Sequence, residues 1–247
     1  MGILVNIEAI DRGGKSTQLP LVAAALHENG RRVQIMAFPD TPSRTAPNPA
    51  HFSTGVLIER FLADKLPMID GRDGLLRIAE LADLPEDIKE IILANIEEKL
   101  IQVIFSINRR ERADALTAAL AANDVVLVGR WLSAYTYGVA NGVSRLQIKA
   151  IEGDLPRVDL SVLLEIDPAT ARARRNGDVY DHYESNFDLQ SKVRRLYNDL
   201  VREDAEVAAL EHREPAFLRL DATAAPDELC ATIIAEIERR LALPPTA

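Results

Sequence analysis

A short stretch near the N-terminus has the residue types and the spacing that bind phosphate. Residues 8–17 read EAIDRGGKST and follow an apolar run at 3–8. They fit the phosphate-loop pattern of glycine, four residues, then Gly-Lys-Ser/Thr, in the required place between a strand and a helix. Backbone N–H groups beside Gly13 and Gly14 can surround a phosphate at the positive end of that helix. The stretch therefore predicts a phosphate site.

Two side chains of this loop suit the chemistry of a phosphoryl group. We expect Lys15 to reach the β- and γ-phosphates and the hydroxyl of Ser16 to bind Mg²⁺. The first position of the pattern departs from glycine, because Ala9 stands there. Alanine carries the Cβ that glycine lacks, so we expect it to be tolerated only with a negative φ.

The pattern of apolar residues predicts an α/β fold with a central parallel sheet. Runs rich in β-branched residues predict five strands, at residues 3–8, 32–37, 125–128, 158–166 and 217–220. Segments with helical periodicity lie at residues 16–28, 55–63, about 86–121, 144–152, 168–175, 187–203 and 226–242. Parallel strands need crossover helices, so this alternation favours three layers with helices on both faces. Such sheets bind ligands at the carboxyl ends of their strands, which is where the phosphate loop lies.

The composition indicates a globular protein and argues against several partners. The 247 residues contain 29 Lys and Arg against 38 Asp and Glu, a net charge of −9. This acidic balance disfavours nucleic acid and anionic membrane surfaces as partners. No stretch approaches the roughly 18 apolar residues that span a bilayer. Cys230 is the one cysteine, so we expect a reducing, cytoplasmic setting.

We expect a single domain over residues 1–247, because no linker or repeat separates two cores. Two segments predict insertions into that domain. Residues 41–52 contain three prolines and follow the second strand. Residues 65–84 form the second predicted insertion.

In chain order, several motifs resemble those of the thymidylate kinases, which phosphorylate dTMP with ATP. Glu8 to Gln18 match the phosphate loop of that family except at Ala9. The most specific signal is the F-S-x-N-R helix, matched by Phe105-Ser106-Ile107-Asn108-Arg109. The other matches are Phe38-Pro39, Pro156 to Leu164, Asp167-Pro168, Tyr183-Glu184 in a lid at residues 176–186, and Asp221-Ala222. The resemblance covers most of the chain and implies a three-layer P-loop kinase fold, ATP and Mg²⁺ as ligands, and a homodimer.

The resemblance also implies which residues bind the acceptor nucleotide. Phe105 would stack on the thymine ring and Arg109 would hydrogen-bond the base. Asp11 would accept from the 3′-hydroxyl, and Arg130 would grip the monophosphate. The other members of the implied acceptor set are Trp131, which closes on the sugar, Tyr183, which helps to exclude a 2′-hydroxyl, and Phe38, Pro39, Asn108 and Arg44. Arg44 lies several residues beyond the position of the family's arginine.

The family implies an ATP site and a catalytic pair as well. The implied ATP-binding residues are Asp11, Arg12, Gly13, Gly14, Lys15, Ser16, Thr17, Arg172, Asp221 and Ala222. Catalysis needs positive charge around the transferring phosphoryl group, and family members place a helper arginine in the phosphate loop or in the lid. Here Arg12 lies in the loop, and residues 176–191 contain no Arg or Lys. The resemblance therefore assigns Arg12 and Lys15 to catalysis.

The chain departs from the family next to Arg130. Family members have an acidic residue before this arginine, whereas this chain has Gly129, and Ser133 follows one residue sooner than in the family. Either a deletion reshapes the loop or Arg130 is not the equivalent residue. We expect Glu165, at the end of the fourth strand, or Glu184 to supply the missing carboxylate to Mg²⁺. A plain strand-end charge is the alternative for Glu165.

Three functions are open at this point. The first is ATP- and Mg²⁺-dependent phosphorylation of dTMP, or of a close relative such as dUMP or a 5-modified dUMP. The second is a kinase of free deoxynucleosides, which needs a general base near the 5′-hydroxyl. The third is a nucleotide-binding protein without catalysis, suggested by Ala9 and Gly129 together.

Overall fold

The computed structural model describes residues 1–39, 58, 101–153, 155–174, 183 and 186–243. In these parts of the chain, five parallel strands form one sheet, as the sequence predicts. They are β1 (Ile3–Glu8), β2 (Val33–Met36), β3 (Val125–Gly129), β4 (Leu160–Glu165) and β5 (Phe217–Asp221). Their order across the sheet is β2-β3-β1-β4-β5. The phosphate loop therefore leaves the central strand.

Helices connect the strands and confirm the α/β class. Those in the described ranges are α1 (Lys15–Glu28), α2 (residues 101–111), α3 (Ala113–Ala122), α4 (Ser133–Ala140), α5 (Arg145–Glu152), α6 (Pro168–Ala173), α7 (Phe187–Leu210) and α8 (Pro226–Leu241). Helix α1 packs against α8, and α7 packs against α4 and α6. None of the described helices combines the length and the apolarity needed to cross a membrane.

The central strands are apolar along most of their length because helices cover both faces of the sheet. Val5 of β1 pairs in register with Leu127 of β3, and both pack with Val22 of α1 on one face. Leu4 points to the other face, because side chains alternate along a strand, and packs there with Leu120 of α3. The sheet is therefore the middle layer of three.

Three helices differ from their sequence predictions. The predicted helix over about 86–121 is interrupted at Arg112, whose φ of −103° and ψ of 3° separate α2 from α3. Helix α4 is not predicted, because its sequence SAYTYGVA mixes aromatic, β-branched and glycine residues without a helical period. Helix α7 ends at Leu210 rather than at residue 203.

Several sequence predictions fall on residues outside the described ranges. These are the insertions at 41–52 and 65–84, the helix at 55–63 except Ile58, the first part of the long helix, and the lid except Tyr183 and Asn186. The organisation as one domain stays a prediction.

Candidate active site

The phosphate loop wraps around its own lysine at the carboxyl end of β1. Lys15, in the first turn of α1, donates from Nζ to the carbonyl oxygens of Ala9 (2.6 Å) and Ile10 (2.9 Å). Gly14 precedes the helix with a φ of +100°, a conformation that favours glycine. The loop is thus already turned, with the lysine side chain buried inside it.

Ala9, which replaces the first glycine of the pattern, is accommodated by Gly13. Ala9 is fully buried and is absent from the described residues with a positive φ. A Cβ on Gly13 would lie only 2.4 Å from the Cβ of Ala9. Only one of the two positions can therefore carry a Cβ. The expectation that Ala9 is tolerated without a positive φ is met.

Two arginines at this edge of the sheet have strained backbones. Arg12 follows β1, Arg130 follows the neighbouring strand β3, and each has a φ of +62°. This left-handed conformation costs a residue with a Cβ about 1–2 kcal/mol. Among the described non-glycine residues, His212 alone shares a positive φ. Such strain concentrates at functional sites, so it indicates both arginines as candidate functional residues.

A cleft opens beside the phosphate loop, between this loop, α2 and α4. Its empty volume, with the open mouth included, is about 450 Å³. The structure brings together in its lining six of the residues predicted for acceptor binding: Asp11, Pro39, Phe105, Arg109, Arg130 and Tyr183. These residues are far apart in the sequence, and the fold makes them neighbours.

Asp11 is the centre of a hydrogen-bond network in the cleft. Its Oδ1 accepts from Arg130 (3.0 Å), and its Oδ2 accepts from Tyr137 (2.7 Å) and Gln190 (2.8 Å). Burial would raise the pKa of Asp11, but the charges of Arg130 and Lys15 and these hydrogen bonds outweigh burial, so its pKa lies below the ordinary value. Asp11 is therefore an ionised acceptor. These three donors use three of the about four acceptor positions of a carboxylate.

Three aromatic side chains form one wall of the cleft. Tyr183 lies between Tyr137, with ring centroids 5.5 Å apart, and Phe105, with centroids 6.4 Å apart. The hydroxyl of Tyr183 accepts from Gln102 (2.7 Å). Burial and the Asp11 carboxylate raise the pKa of Tyr137 well above its ordinary value, so Tyr137 stays protonated and donates to Asp11.

The guanidinium of Arg109 lies at the edge of the cleft and is almost completely buried, with 2% of its surface exposed. Its Nε donates to Oε1 of Glu152 at 3.0 Å, and a terminal nitrogen donates to the same oxygen. Glu152 is the last residue of α5. The cleft thus contains a buried cation whose counter-ion comes from a neighbouring helix.

Glu8, the last residue of β1, holds the turn that carries Arg130. Its carboxylate is fully buried and accepts from the N–H of Leu132 (2.6 Å) and the hydroxyl of Tyr197 (2.7 Å). Burial and the charge of Glu8 raise the pKa of Tyr197 well above its ordinary value, so Tyr197 remains a donor. Glu8, just before Ala9 of the phosphate loop, therefore fixes the loop that follows β3.

Comparisons with known proteins agree with this geometry. No family model matches the chain. The chain is 24% identical to a curated thymidylate kinase of Schizosaccharomyces pombe over 94% of this chain and 90% of that protein. It is 27% identical to that of Chlorobium chlorochromatii over 98% of this chain and 96% of that protein. This chain is a relative of the thymidylate kinases.

A solved structure supports the same fold. The structural match to a thymidylate kinase from Candida albicans covers 97% of this chain and 92% of that chain, with a TM-score of 0.62 and a sequence identity of 21%. The five-stranded parallel sheet and its covering helices are therefore the thymidylate kinase fold.

The space of the missing acidic residue is filled by an apolar side chain. A Cβ on Gly129 would lie 2.9 Å from Cδ1 of Leu19 in α1. A side chain longer than glycine therefore requires Leu19 to move. The acidic residue found in thymidylate kinases has no room here while Leu19 keeps its position.

Glu165, expected as a Mg²⁺ ligand, is engaged by arginines in this structure. Its carboxylate accepts from Arg194 (2.6 Å) and lies 3.7 Å from Arg219. These ion pairs already balance its charge, which agrees with the alternative of a strand-end charge. Glu184, the other candidate, lies outside the described residues.

Three predicted acceptor residues lie outside the lining of the cleft. Phe38 and Trp131 pack edge to face, with centroids 5.0 Å apart, in the core next to α3. Both side chains therefore pack in the core of this structure, and their expected contacts with the acceptor nucleotide stay predictions. Asn108 is fully buried on α2. Arg44 lies outside the described residues.

On the side of the loop away from the cleft, Arg174 rather than the predicted Arg172 approaches the phosphate loop. Arg174 donates to the carbonyl oxygen of Ala222 (2.6 Å), and its NH1 would lie 4.0 Å from a Cβ on Gly14. Arg172 and Arg174 are both exposed at the end of α6, and of the two Arg174 makes these contacts. Asp221 ends β5 just before Ala222, so Arg174 links this end of β5 to the phosphate loop, and the roles of Asp221 and Ala222 in ATP binding stay predictions.

Sequence reasoning missed several residues of this site, and four of them matter most for its contacts. They are Tyr137, Gln190, Glu152 and Arg174. None belongs to a motif, and Tyr137 lies on α4, which lacks a helical period. The basic residue in the last turn of α6 is Arg172, so the sequence offers no signal that favours Arg174 at the C-cap.

Proposed function

We propose that this protein transfers the γ-phosphate of ATP to dTMP, giving dTDP and ADP. The observation that carries the proposal is the place of Asp11, which belongs to the phosphate loop and also lines the cleft. A donor phosphate on the loop and an acceptor in the cleft would be neighbours, as in-line phosphoryl transfer requires. The similarity to thymidylate kinases over most of the chain supports this reaction.

The base of the acceptor fits against α2. Phe105 is half-buried and presents its ring to the cleft, which suits stacking on a planar base. Arg109 has donors and no acceptor, which suits the C4 carbonyl oxygen of thymine. We assign stacking to Phe105 and base recognition to Arg109.

The sugar and the monophosphate fit nearer the phosphate loop. Asp11 has an acceptor position left for the 3′-hydroxyl of the deoxyribose. Arg130 is a quarter exposed, with 25% of its side-chain surface accessible, and can hold the monophosphate. Tyr137 and Tyr183 stand close together on the same wall, and we assign to this pair the exclusion of a 2′-hydroxyl.

The donor nucleotide would replace contacts that the phosphate loop makes with its own lysine. Lys15 gives up the carbonyl oxygens of Ala9 and Ile10 for phosphate oxygens, and Arg12 adds a second positive charge at the transferring group. Arg174 lies beside Gly14 and Ala222, where it can contact the rest of the nucleotide. Lys15 and Arg12 therefore stay our catalytic pair.

The residues at the loop fit a metal ion that arrives with ATP. Among the described residues, no group of three His, Cys, Asp or Glu side chains could hold a metal. Ser16 and Thr17 are exposed at the first turn of α1. Mg²⁺ usually keeps several waters and uses phosphate oxygens with few protein ligands, so the hydroxyl of Ser16 suffices on the protein side. When bound, the ion neutralises charge on the phosphates.

The test is a coupled assay that follows ADP. The protein is incubated with ATP, Mg²⁺ and, in separate reactions, dTMP, dUMP, a 5-modified dUMP, dCMP, dGMP or thymidine. We expect dTMP to give the fastest turnover. ADP from thymidine but not from dTMP would refute the proposal in favour of a nucleoside kinase. ATP binding without turnover on any acceptor would refute it in favour of a binding protein.

A matched pair of variants ties the activity to the cleft. Phe105→Ala should raise the KM for dTMP, because the stacking surface is lost. Leu146→Ala removes a 77% exposed leucine on α5 and should leave the KM unchanged. Equal KM values for the two variants would return Phe105 to a packing role.

The homodimer and the cytoplasmic setting also remain predictions.

A further inference from the structure

The buried guanidinium of Arg109 is held from one side by a single carboxylate. Oε1 of Glu152 accepts from both Nε and a terminal nitrogen of Arg109. The side chain of Arg109 is 2% exposed and that of Glu152 is 18% exposed. A buried charge that loses its partner is strongly destabilised. Glu152 is therefore the group that compensates the charge of Arg109 inside the cleft wall.

The ion pair leaves part of the guanidinium for a ligand. Within the described part of the chain, the hydrogen bonds of Arg109 go from Nε and one terminal nitrogen to Glu152, and from that nitrogen to Ser106 at 3.5 Å. Arg109 also lines the cleft. A guanidinium has five N–H donors and no acceptor. The second terminal nitrogen thus offers donors alone to whatever occupies the cleft.

Helix packing fixes Glu152 in space. Arg110, next to Arg109, donates to the carbonyl oxygen of Ile151 (2.8 Å) at the same end of α5. Ser144 caps the other end of α5. In between, a Cβ on Gly138 of α4 would lie 2.7 Å from Cδ1 of Ile148, so α4 and α5 approach closely. These contacts fix the end of α5, so the carboxylate of Glu152 approaches the guanidinium of Arg109 from one fixed side.

We infer that Glu152 sets the base specificity of the cleft as a positioning residue that acts through Arg109, an inference that rests on the proposed function. A guanidinium locked in one orientation, with donors alone facing the base, favours thymine or uracil, whose C4 oxygen accepts. It disfavours cytosine, whose 4-amino group is itself a donor. Sites that must pair a polar group reject the analogue that leaves it unpaired. Without Glu152 the orientation is lost, and affinity and discrimination fall together.

A double-mutant cycle tests this coupling, with binding measured by calorimetry in the absence of ATP. The chains are wild type, Glu152→Gln, Arg109→Met and the double variant, each titrated with dTMP and dCMP. Glu152→Gln should weaken dTMP binding by about 10-fold or more, the size expected for a lost hydrogen bond to a charged group. It should leave dCMP binding nearly unchanged. In the Arg109→Met background, Glu152→Gln should have no further effect on dTMP.

The matched control is Glu203→Gln. Glu203 pairs with Arg145 at the start of the same helix, where both side chains are nearly half exposed, so its removal should change neither nucleotide. Glu152→Asp keeps the charge and should recover part of the dTMP affinity. Titration with ATP checks the phosphate loop, which all four chains of the cycle should retain.

Other outcomes overturn the inference. Additive losses in the cycle would show that Glu152 acts independently of Arg109. Equal weakening of dTMP and dCMP would show that it sets no base preference. Loss of ATP binding in Glu152→Gln would show that Glu152 stabilises the fold instead. If the wild-type protein binds dTMP but forms no ADP, the proposed function is overturned, and the double-mutant cycle still tests the role of Glu152. Absence of dTMP binding would overturn both.

Discussion

Replacing Gln190 by leucine tests the network around Asp11. Gln190 is 6% exposed. Its Nε2 donates to the carboxylate of Asp11 (2.8 Å) and to the carbonyl oxygen of Tyr183 (3.1 Å), and its Oε1 accepts from the N–H of Asp11 (3.1 Å). Leucine fills a similar volume without polar atoms. The variant therefore removes hydrogen bonds and leaves the packing nearly intact.

The expected cost follows from these contacts. The N–H of Asp11 loses its partner and the Asp11 carboxylate loses one hydrogen bond, whereas the carbonyl of Tyr183 still accepts from the N–H of Asn186 (3.2 Å). A buried polar group left unpaired costs about 1–3 kcal/mol, and a hydrogen bond to a charged group contributes about 1.5–3 kcal/mol. We expect the free energy of unfolding to fall by about 3 kcal/mol, which for a chain of this size lowers the melting temperature by about 6–12 °C. The KM for dTMP should rise as well, because Asp11 loses a group that orients it, whereas the KM for ATP should not change.

The assay combines thermal unfolding with steady-state kinetics. Gln34→Leu is the control, because Gln34 is exposed on β2 and far from Asp11 in the fold. Equal melting temperatures for the two variants would refute the assignment of Gln190 as a buried bridge. A lower melting temperature with an unchanged KM for dTMP would refute the link between this bridge and the acceptor.

Three further substitutions test neighbouring contacts. Arg12→Ala should lower kcat far more than it raises the KM for dTMP, because its charge acts on the transferring phosphoryl group, and an unchanged kcat would remove Arg12 from the catalytic pair. Gly129→Asp should destabilise the protein by about 1–3 kcal/mol, because its Cβ displaces the end of Leu19, 2.9 Å away, and its carboxylate enters a buried strand position. Adding Leu19→Ala should not restore the melting temperature fully, and a single variant as stable as wild type would contradict this packing. Asp11→Asn tests the pH dependence: the pKa of Asp11 is lowered from 3.8, so its stabilisation is present above pH 3.8 and is lost as the pH falls through the folded pKa. In urea unfolding, the loss of unfolding free energy in Asp11→Asn relative to wild type should become smaller in that acid range. A loss that does not depend on pH would contradict the lowered pKa of Asp11.

Much of the fold is predictable because its signals are local. Each strand is a run of apolar residues bounded by turns, and the phosphate loop is contiguous in sequence. Helix α4 escapes prediction because its helicity depends on packing against α5 and α7 rather than on a periodic sequence. Prediction therefore fails where tertiary contacts decide the structure.

The site is predictable only as far as its motifs are contiguous. Trp131 directly follows Arg130, yet Trp131 turns into the core while Arg130 lines the cleft. The residue types do not reveal this difference, because both suit a nucleotide. The partnership of Arg109 with Glu152 and the contact of Leu19 with position 129 join separate helices and strands. Only the folded chain brings these groups together.

At Arg12 the backbone and the chemistry favour different residues. The left-handed φ of +62° suits glycine, and a change to glycine would relieve about 1–2 kcal/mol of local strain. The same change would remove a guanidinium that we assign to catalysis. Directed evolution for heat resistance alone should therefore enrich glycine at this position and yield stable, slow enzymes. Selection on turnover should return arginine, so position 12 is a place where stability and activity trade against each other.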